Sequence, residues 1–487
     1  MNFYKTILLA LHGLLLSGLA ANAQTPDFTA TPAPAKDISW YITHCPFPMT
    51  APVVPGFPDR DFPLTDYGAI GDGQTLNTSA FQKAIQACSA AGGGRVVVPP
   101  GQWLTGPVEL LSHTNLYLAA GATVLFTRDH TQYPLLNGHG AVTSPLYGHD
   151  AEDIAITGEG SFDGAGDSWR PVKKEKMTSA QWQALLASGG ALSSDGKIWW
   201  PSQEALNHDL RPYMLYLVNC RHILIRGVLL RNSPKFVFYP NHCTDLTMDH
   251  ARIFNEWWAQ NGDGIDISAC RNVLLYQCTV NAGDDGICMK SSGGGGGNGT
   301  RPDGPQLQDV IIAGCTVYRA HGGFVIGSNT DGGMHNIYVT DCRFIGTDVG
   351  LRFKSNMGRG GLVDNIFISD ITMRDIVHEA VLFDTYYEDA PAGSQRDPNK
   401  PRPEDKTPEF RDFHISRVVC NGAKTGISIT GLPQMPVSRI SFDSLEIHSN
   451  KGLVATQARE IDLHAMKWVV QDLPVYQPDK TAEIRIR

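Results

Sequence analysis

A short unit recurs along this chain and restricts what it can fold into. The unit is a polar residue, an apolar one, any residue, a second apolar one, then two more residues and a small or apolar one. Its clearest copies are Asn272-Val273-Leu274-Leu275, Asp309-Val310-Ile311-Ile312, Asn336-Ile337-Tyr338-Val339 and Asn365-Ile366-Phe367-Ile368. Further copies start at Asn115, Asp153, His222, Asp245, Asp412, Ser438 and Glu460. Alternation of this kind is the period of a half-buried strand. Strands so short cannot bury a face alone, but stacked one on the next they bury a continuous column. From His222 onward, uninterrupted copies lie 22 to 29 residues apart. That spacing, with Gly, Asn and Asp at the turns, predicts an all-β fold, a right-handed parallel β-helix. Helical repeats would need a heptad-like period that is missing, and a propeller blade would need about 40 residues.

Intervals of 37 and 47 residues mark insertions at about 292–306 and 390–409. The first holds the run Gly293 to Gly297, and the second is rich in proline and charge. The largest gap, between Asp153 and His222, holds an insertion at about 165–212 with a helical pattern over Thr178 to Ala187. Long loops on one edge of a solenoid often build its binding face. Near the N-terminus, Asn77-Thr78-Ser79 can cap a helix with Phe81, Ala84, Ile85 and Cys88 on one face. Such a helix is expected to cover the open end of the first coil.

The β-helix is placed at 62–487, preceded by an extension at 24–61. Before that, Lys5, the apolar run Ile7 to Leu16 and Ala21-Asn22-Ala23 read as a signal peptide over residues 1–23. The run is too short to span a bilayer, which takes about 20 residues, and no later segment qualifies as a membrane span. A secreted or periplasmic monomer is expected. Apolar content of 42% supports a large core, and a net charge of −9 argues against nucleic acid as a partner. Three of the ten cysteines, Cys278, Cys315 and Cys342, share one repeat position. They read as buried free thiols, and bridges among the other cysteines are left open.

Three coils align without gaps: Val280 to Ser291 (VNAGDDGICMKS), Val317 to Ser328 (VYRAHGGFVIGS) and Phe344 to Ser355 (FIGTDVGLRFKS). Asp284, His321 and Asp348 then share one coil position. Cys288, Val325 and Arg352 share another, and Lys290, Gly327 and Lys354 a third. The preceding coil reads NGDGIDIS from Asn261, which puts Asp263 over Asp285. Stacked positions lie about 4.8 Å apart. Carboxylates that close disfavour ionisation of one member, and the pair titrates as a unit. Such pairs bind a metal or do acid–base work. Glycoside hydrolysis needs one protonated carboxyl and one carboxylate. Arg352, Lys354 and Lys290 make a basic patch at the same edge, able to hold an anionic sugar although the whole chain is acidic. Asp and Gly are also ordinary residues of β-helix turns. Asp266 and Asp348 can be read that way.

These motifs resemble glycoside hydrolase family 28, the polygalacturonases and their relatives. The resemblance rests on Asn261-Gly262-Asp263-Gly264, Gly283-Asp284-Asp285, His321-Gly322 with Ile326-Gly327-Ser328, and Arg352-Phe353-Lys354. It extends to Asp66-Tyr67-Gly68-Ala69 and Val96 through Gly101, and covers about Phe62 to the C-terminus. It implies hydrolysis of α-1,4-galacturonosyl bonds with inversion, on a pectic polysaccharide, with no cofactor and no metal. Carried across, Asp284 is the general acid, Asp263 and Asp285 handle the water, and His321 tunes the acid. Arg352 and Lys354 bind a substrate carboxylate, and Tyr387 shapes the subsite. Asn261 and Lys290 complete the expected binding set. Inversion predicts acid and base about 6.5–9.5 Å apart. Gly262 and Gly286 depart from the usual Thr and Cys. The insertion before Pro212 points to exo-action by walling off the cleft, although loops can equally add subsites. Two rival readings are a calcium-dependent pectate lyase on the same fold and a non-catalytic carbohydrate-binding β-helix.

Overall fold

Three ladders of parallel strands wind around one core in the computed structural model, which describes residues 36–135, 142–292, 306–387 and 406–487. One coil runs through Arg271–Tyr276, Thr279–Asn281 and Ile287–Lys290. The next runs through Leu307–Ala313, Thr316–Tyr318 and Gly322–Ile326. On the first face Val273, Val310, Ile337 and Ile366 stack in register, and all are fully buried. Val280, Val317 and Phe344 do the same on the second face. The third face is a 12-stranded sheet. The first two merge into one sheet because Leu362–Arg374 and Glu409–Asn421 run unbroken across the corner between them. The architecture is the expected right-handed parallel β-helix.

The polar anchor of the repeat is a backbone device. Asp153, His222, Asp245, Asn272, Asp309, Asn336, Asn365, Asp412 and Glu460 all have φ between 52° and 60°. That left-handed corner suits Asn and Asp, whose short side chains bond locally. Two anchors expected from sequence are corrected. Thr114 pairs with Ile154, so the residue level with Asp153 is His113 (φ 64°), not Asn115. A period-two pattern slides by two residues without changing face. Arg411 pairs with Ser438, so Arg439 (φ 53°), not Ser438, is level with Asp412.

The expected helix forms over Thr78–Ala90 and buries Phe81, Ala84, Ile85 and Cys88 in the core of the first coils. Asn77 does not cap it through its side chain, however. That amide instead bonds the backbone of Ile70, Thr75 and Leu104. In the segment before the β-helix, the helix Ile38–Thr43 is followed by a stretch reaching Phe47. Tyr41 and Phe47 pack on Leu274, Tyr276, Ile311 and Tyr338, outside the first face. The large insertion folds as a small antiparallel sheet of Val172–Lys173, Ile198–Trp200 and Ala191–Leu192. Its helix, Ser179–Ala187, carries a capping box between Thr178 and Gln181. Trp182 and Trp199 pack together inside it.

All ten cysteines are free, so the pairs left open are unbridged; Cys278, Cys315 and Cys342 stack in the core as expected. No helix among the described residues is long and apolar enough to cross a membrane. The signal-peptide stretch, the Gly293–Gly297 run and most of the 390–409 insertion lie outside the described residues.

Candidate active site

The turns entering the third face and its first residues hold the charged groups. Ile265, Ile287, Phe324 and Leu351 stack in register. The Gly264 amide donates to the Asp285 carbonyl at 2.9 Å, which sets Asp263 level with Asp285. The His321 amide donates to the Asp284 carbonyl at 2.8 Å, and Gly322 pairs with Val349, so Asp284, His321 and Asp348 share a level. Cys288, Val325 and Arg352 pair in one row. Lys290 and Lys354 follow two residues on, so the ungapped alignment holds.

The carboxylates of Asp263, Asp284 and Asp285 each bring an oxygen within 4.8 Å of the others. These nearest oxygens are closer than the 6.5–9.5 Å expected between the carboxyl groups of an inverting pair. Asp285 is almost fully buried. Its two oxygens take Arg352 Nη1 at 3.0 Å and Lys354 Nζ at 2.7 Å. One oxygen of Asp284 lies 3.1 Å from His321 Nδ1. Asp263 has one buried oxygen with no hydrogen bond, and the other is 3.7 Å from Lys290 Nζ. Lys290 also sits 2.9 Å from Asp266 and donates to Cys288 Sγ at 3.1 Å. The Asp266 contact is an ion pair without an aligned hydrogen bond.

Two stacked aspartates therefore diverge. Burial, reinforced by Asp266 and Asp284, pushes Asp263 well above the usual carboxylate range. Burial acts on Asp285 too, but Lys354 and Arg352 outweigh it and hold it well below that range. Asp284 is also held low: burial raises it, and the His321 hydrogen bond wins. Burial lifts Asp266 to about 6 despite Lys290.

Two expectations need correction. Asp266 is no bland turn residue; it is a fully buried member of the strand Ile265–Ser268. The basic patch is not free either, since Arg352 and Lys354 are committed to Asp285 and Lys290 to Asp266. Asp348 stays half-exposed, with an oxygen 3.9 Å from His321 Nε2. Tyr387 lies at the same edge, its ring centre 4.7 Å from Lys354 Nζ and 5.6 Å from Arg352. Asn261 joins the edge, its side-chain oxygen accepting from Arg211 Nη2 at 3.2 Å.

Sequence reasoning missed Lys176 and Arg211, which come from the insertion and carry no repeat signal. Lys176 Nζ donates to the Gly283 carbonyl at 2.9 Å, beside the aspartates. Arg211 also donates to the Gln260 carbonyl at 2.8 Å. A cavity of about 250 Å³ adjoins it, lined by Tyr133, Trp169, Trp200, Glu204 and Asp209. An aromatic row was missed too. Tyr147, Tyr216 and Tyr239 share a row of the third face leading toward Asp266, with Tyr216 and Tyr239 stacked at 5.5 Å. Aligning Leu215-Tyr216-Leu217 with Ile265-Asp266-Ile267 would have revealed it. Lys235 Nζ lies 5.3 Å over the Tyr213 ring nearby.

The family described as "Glycosyl hydrolases family 28" matches residues 173–401, which hold every one of these charged groups. The chain belongs to glycosyl hydrolases family 28. A second description, rhamnogalacturonase A/epimerase, pectate lyase-like, matches residues 62–157. A probable polygalacturonase of Vitis vinifera is 28% identical over 400 residues, 79% of this chain and 74% of that protein. An exo-poly-alpha-D-galacturonosidase of Dickeya chrysanthemi is 28% identical over 399 residues, 76% of this chain and 64% of that protein. A hyperthermoactive exopolygalacturonase from Thermotoga maritima superposes with a TM-score of 0.65 at 25% identity, covering 85% of this chain and 94% of that one. As a family 28 glycoside hydrolase, this chain has a steric reason for its two unusual glycines. A Cβ at Gly262 would meet Ala259 at 2.7 Å, and one at Gly286 would meet Val317 at 2.5 Å.

Proposed function

We propose that this protein hydrolyses α-galacturonosyl bonds, of the α-1,4 type, in pectic chains. The observation that carries the reading is three carboxylates converging within 4.8 Å beside Arg352 and Lys354. The names of the relatives support a galacturonan substrate. Asp284 is the general acid. Its side chain is 16% exposed against 5% and 2% for Asp263 and Asp285, so it meets the cleft. In the free site it is held ionised. A sugar carboxylate engaging Arg352 and Lys354 weakens their pull on the aspartates, which raises Asp284 toward protonation. Asp263 and Asp285 hold the water. Both oxygens of Asp285 are tied to cations, which makes it a poor nucleophile and favours direct attack by water, with inversion. Tyr387 packs beside the bound carboxylate. Asn261 and Lys290 keep the edge in place.

Exo-action follows from the insertion. Lys176 and Arg211 fasten it to Gly283, Gln260 and Asn261, so it walls the cleft on the side of the earlier coils. The leader over residues 1–23 supports export, and the chain acts as a monomer. Product analysis on pectic oligomers, with the anomer followed by NMR, tests the whole reading. The expected outcome is saturated monomer or dimer of inverted configuration, formed equally with a chelator present. Calcium-dependent release of unsaturated product would overturn it in favour of a lyase. Absence of hydrolysis on every pectic polymer would favour a binding module.

A further inference from the structure

Lys176 ends the short turn Lys174–Lys176 of the insertion and is only 8% exposed. Three acceptors surround its ammonium: the Gly283 carbonyl at 2.9 Å, the Trp257 carbonyl at 3.2 Å and His321 Nε2 at 3.2 Å. An ammonium has three donors and no lone pair. Nε2 is therefore the accepting nitrogen, and the ring proton resides on Nδ1, which faces Asp284 at 3.1 Å.

We propose that Lys176 is a positioning residue that locks His321 as the Nδ1–H tautomer, so that His321 donates to one oxygen of Asp284 and leaves the other to carry the catalytic proton. The inference rests on Asp284 being the acid. The charged groups around the pair are Asp284, Asp348, Lys173 and Glu175. Asp348 is the competitor, since its oxygen lies 3.9 Å from Nε2 and would draw a proton there. Its side chain is 43% exposed, so water screens it, whereas Lys176 acts from a buried position. Without Lys176 the ring is free to protonate at Nε2 toward Asp348. The bare Nδ1 then faces Asp284 and competes for the proton meant for the leaving sugar oxygen.

Imidazole ¹⁵N shifts of His321, assigned by the signals lost in His321→Asn, test this directly. Wild type is expected to show a protonated Nδ1 and a bare Nε2. Lys176→Met should move protonation to Nε2, with kcat about tenfold lower and KM within about twofold. Lys176→Gln, whose amide N–H can replace the donor, should recover the tautomer and part of kcat. A protonated Nε2 in wild type, or a kcat loss in Lys176→Met with the tautomer unchanged, would overturn the proposal. The wild-type spectrum decides even if both variants fail to fold. It also decides if wild type hydrolyses no pectin, which would remove the functional assignment alone.

Discussion

Two stacks of aspartates run along this solenoid, and they differ in everything but spacing. At the anchor corner, polar side chains bond from coil to coil, and among the described anchors only Asn272 Oδ1 is buried without a hydrogen-bond partner. Asn272 donates to Asp245 at 2.6 Å, Asn336 to Asp309 at 2.8 Å, and Arg439 grips both oxygens of Asp412 at 2.6 and 2.8 Å. On the third face, Asp263 and Asp266 are buried with oxygens that lack hydrogen bonds, and the neighbouring Asp285 is held by two cations. A satisfied buried polar group stabilises, and an unsatisfied one costs about 1–3 kcal/mol. The anchor stack therefore reads as architecture. The third-face stack carries a cost that fits the proposed chemistry.

The sharpest way to break this contrast is by amide substitution in each stack. Asp284→Asn is expected to lower kcat by about 10³-fold or more with the fold retained. Asp309→Asn should leave kcat within about twofold, as steady-state kinetics will show. An anchor variant that matched the loss at Asp284 would erase the distinction.

Asp266 allows a test by stability. Its folded pKa, about 6, exceeds the unfolded value of 3.8. The folded state thus binds more protons between those values, and stability falls as pH rises through that window. The loss at full ionisation is about 3 kcal/mol. Denaturant titrations from pH 3.5 to 7 should show this slope in wild type, and Asp266→Asn should lack that component.

The acid's dependence on substrate gives a smaller effect. Asp284 is held low in the free enzyme, and under the proposed function a uronate on Arg352 and Lys354 should raise it. The basic limb of kcat should then sit at higher pH than that of kcat/KM, by about one unit. Coincident limbs would mean that the cations do not couple to the acid.

The mildest test returns to the anchor corner. Asp309→Ala loses the Asn336 bond and forces a left-handed alanine. Chemical denaturation should show a loss of about 1–2 kcal/mol, with kcat unchanged.

Much of this was legible in the residue order. The repeat gave the coils, and the ungapped alignment gave the levels of Asp284, His321, Arg352 and Lys354, because a solenoid turns sequence period into spatial adjacency. The same period could not separate His113 from Asn115, since a slip of two residues keeps every apolar side chain inward. Nor could it show that Asp266 is buried.

The sequence by itself determined the fold, the convergence of Asp263, Asp284 and Asp285 on one edge, and the cations beside them, because all follow from one repeated register. Only the tertiary structure decided how those charges pair. Arg352 and Lys354 turn inward to Asp285, Lys290 goes to Asp266, and Lys176 reaches His321 from 145 residues away. Pairing depends on side-chain reach and burial, and in an insertion outside the repeat no period records either.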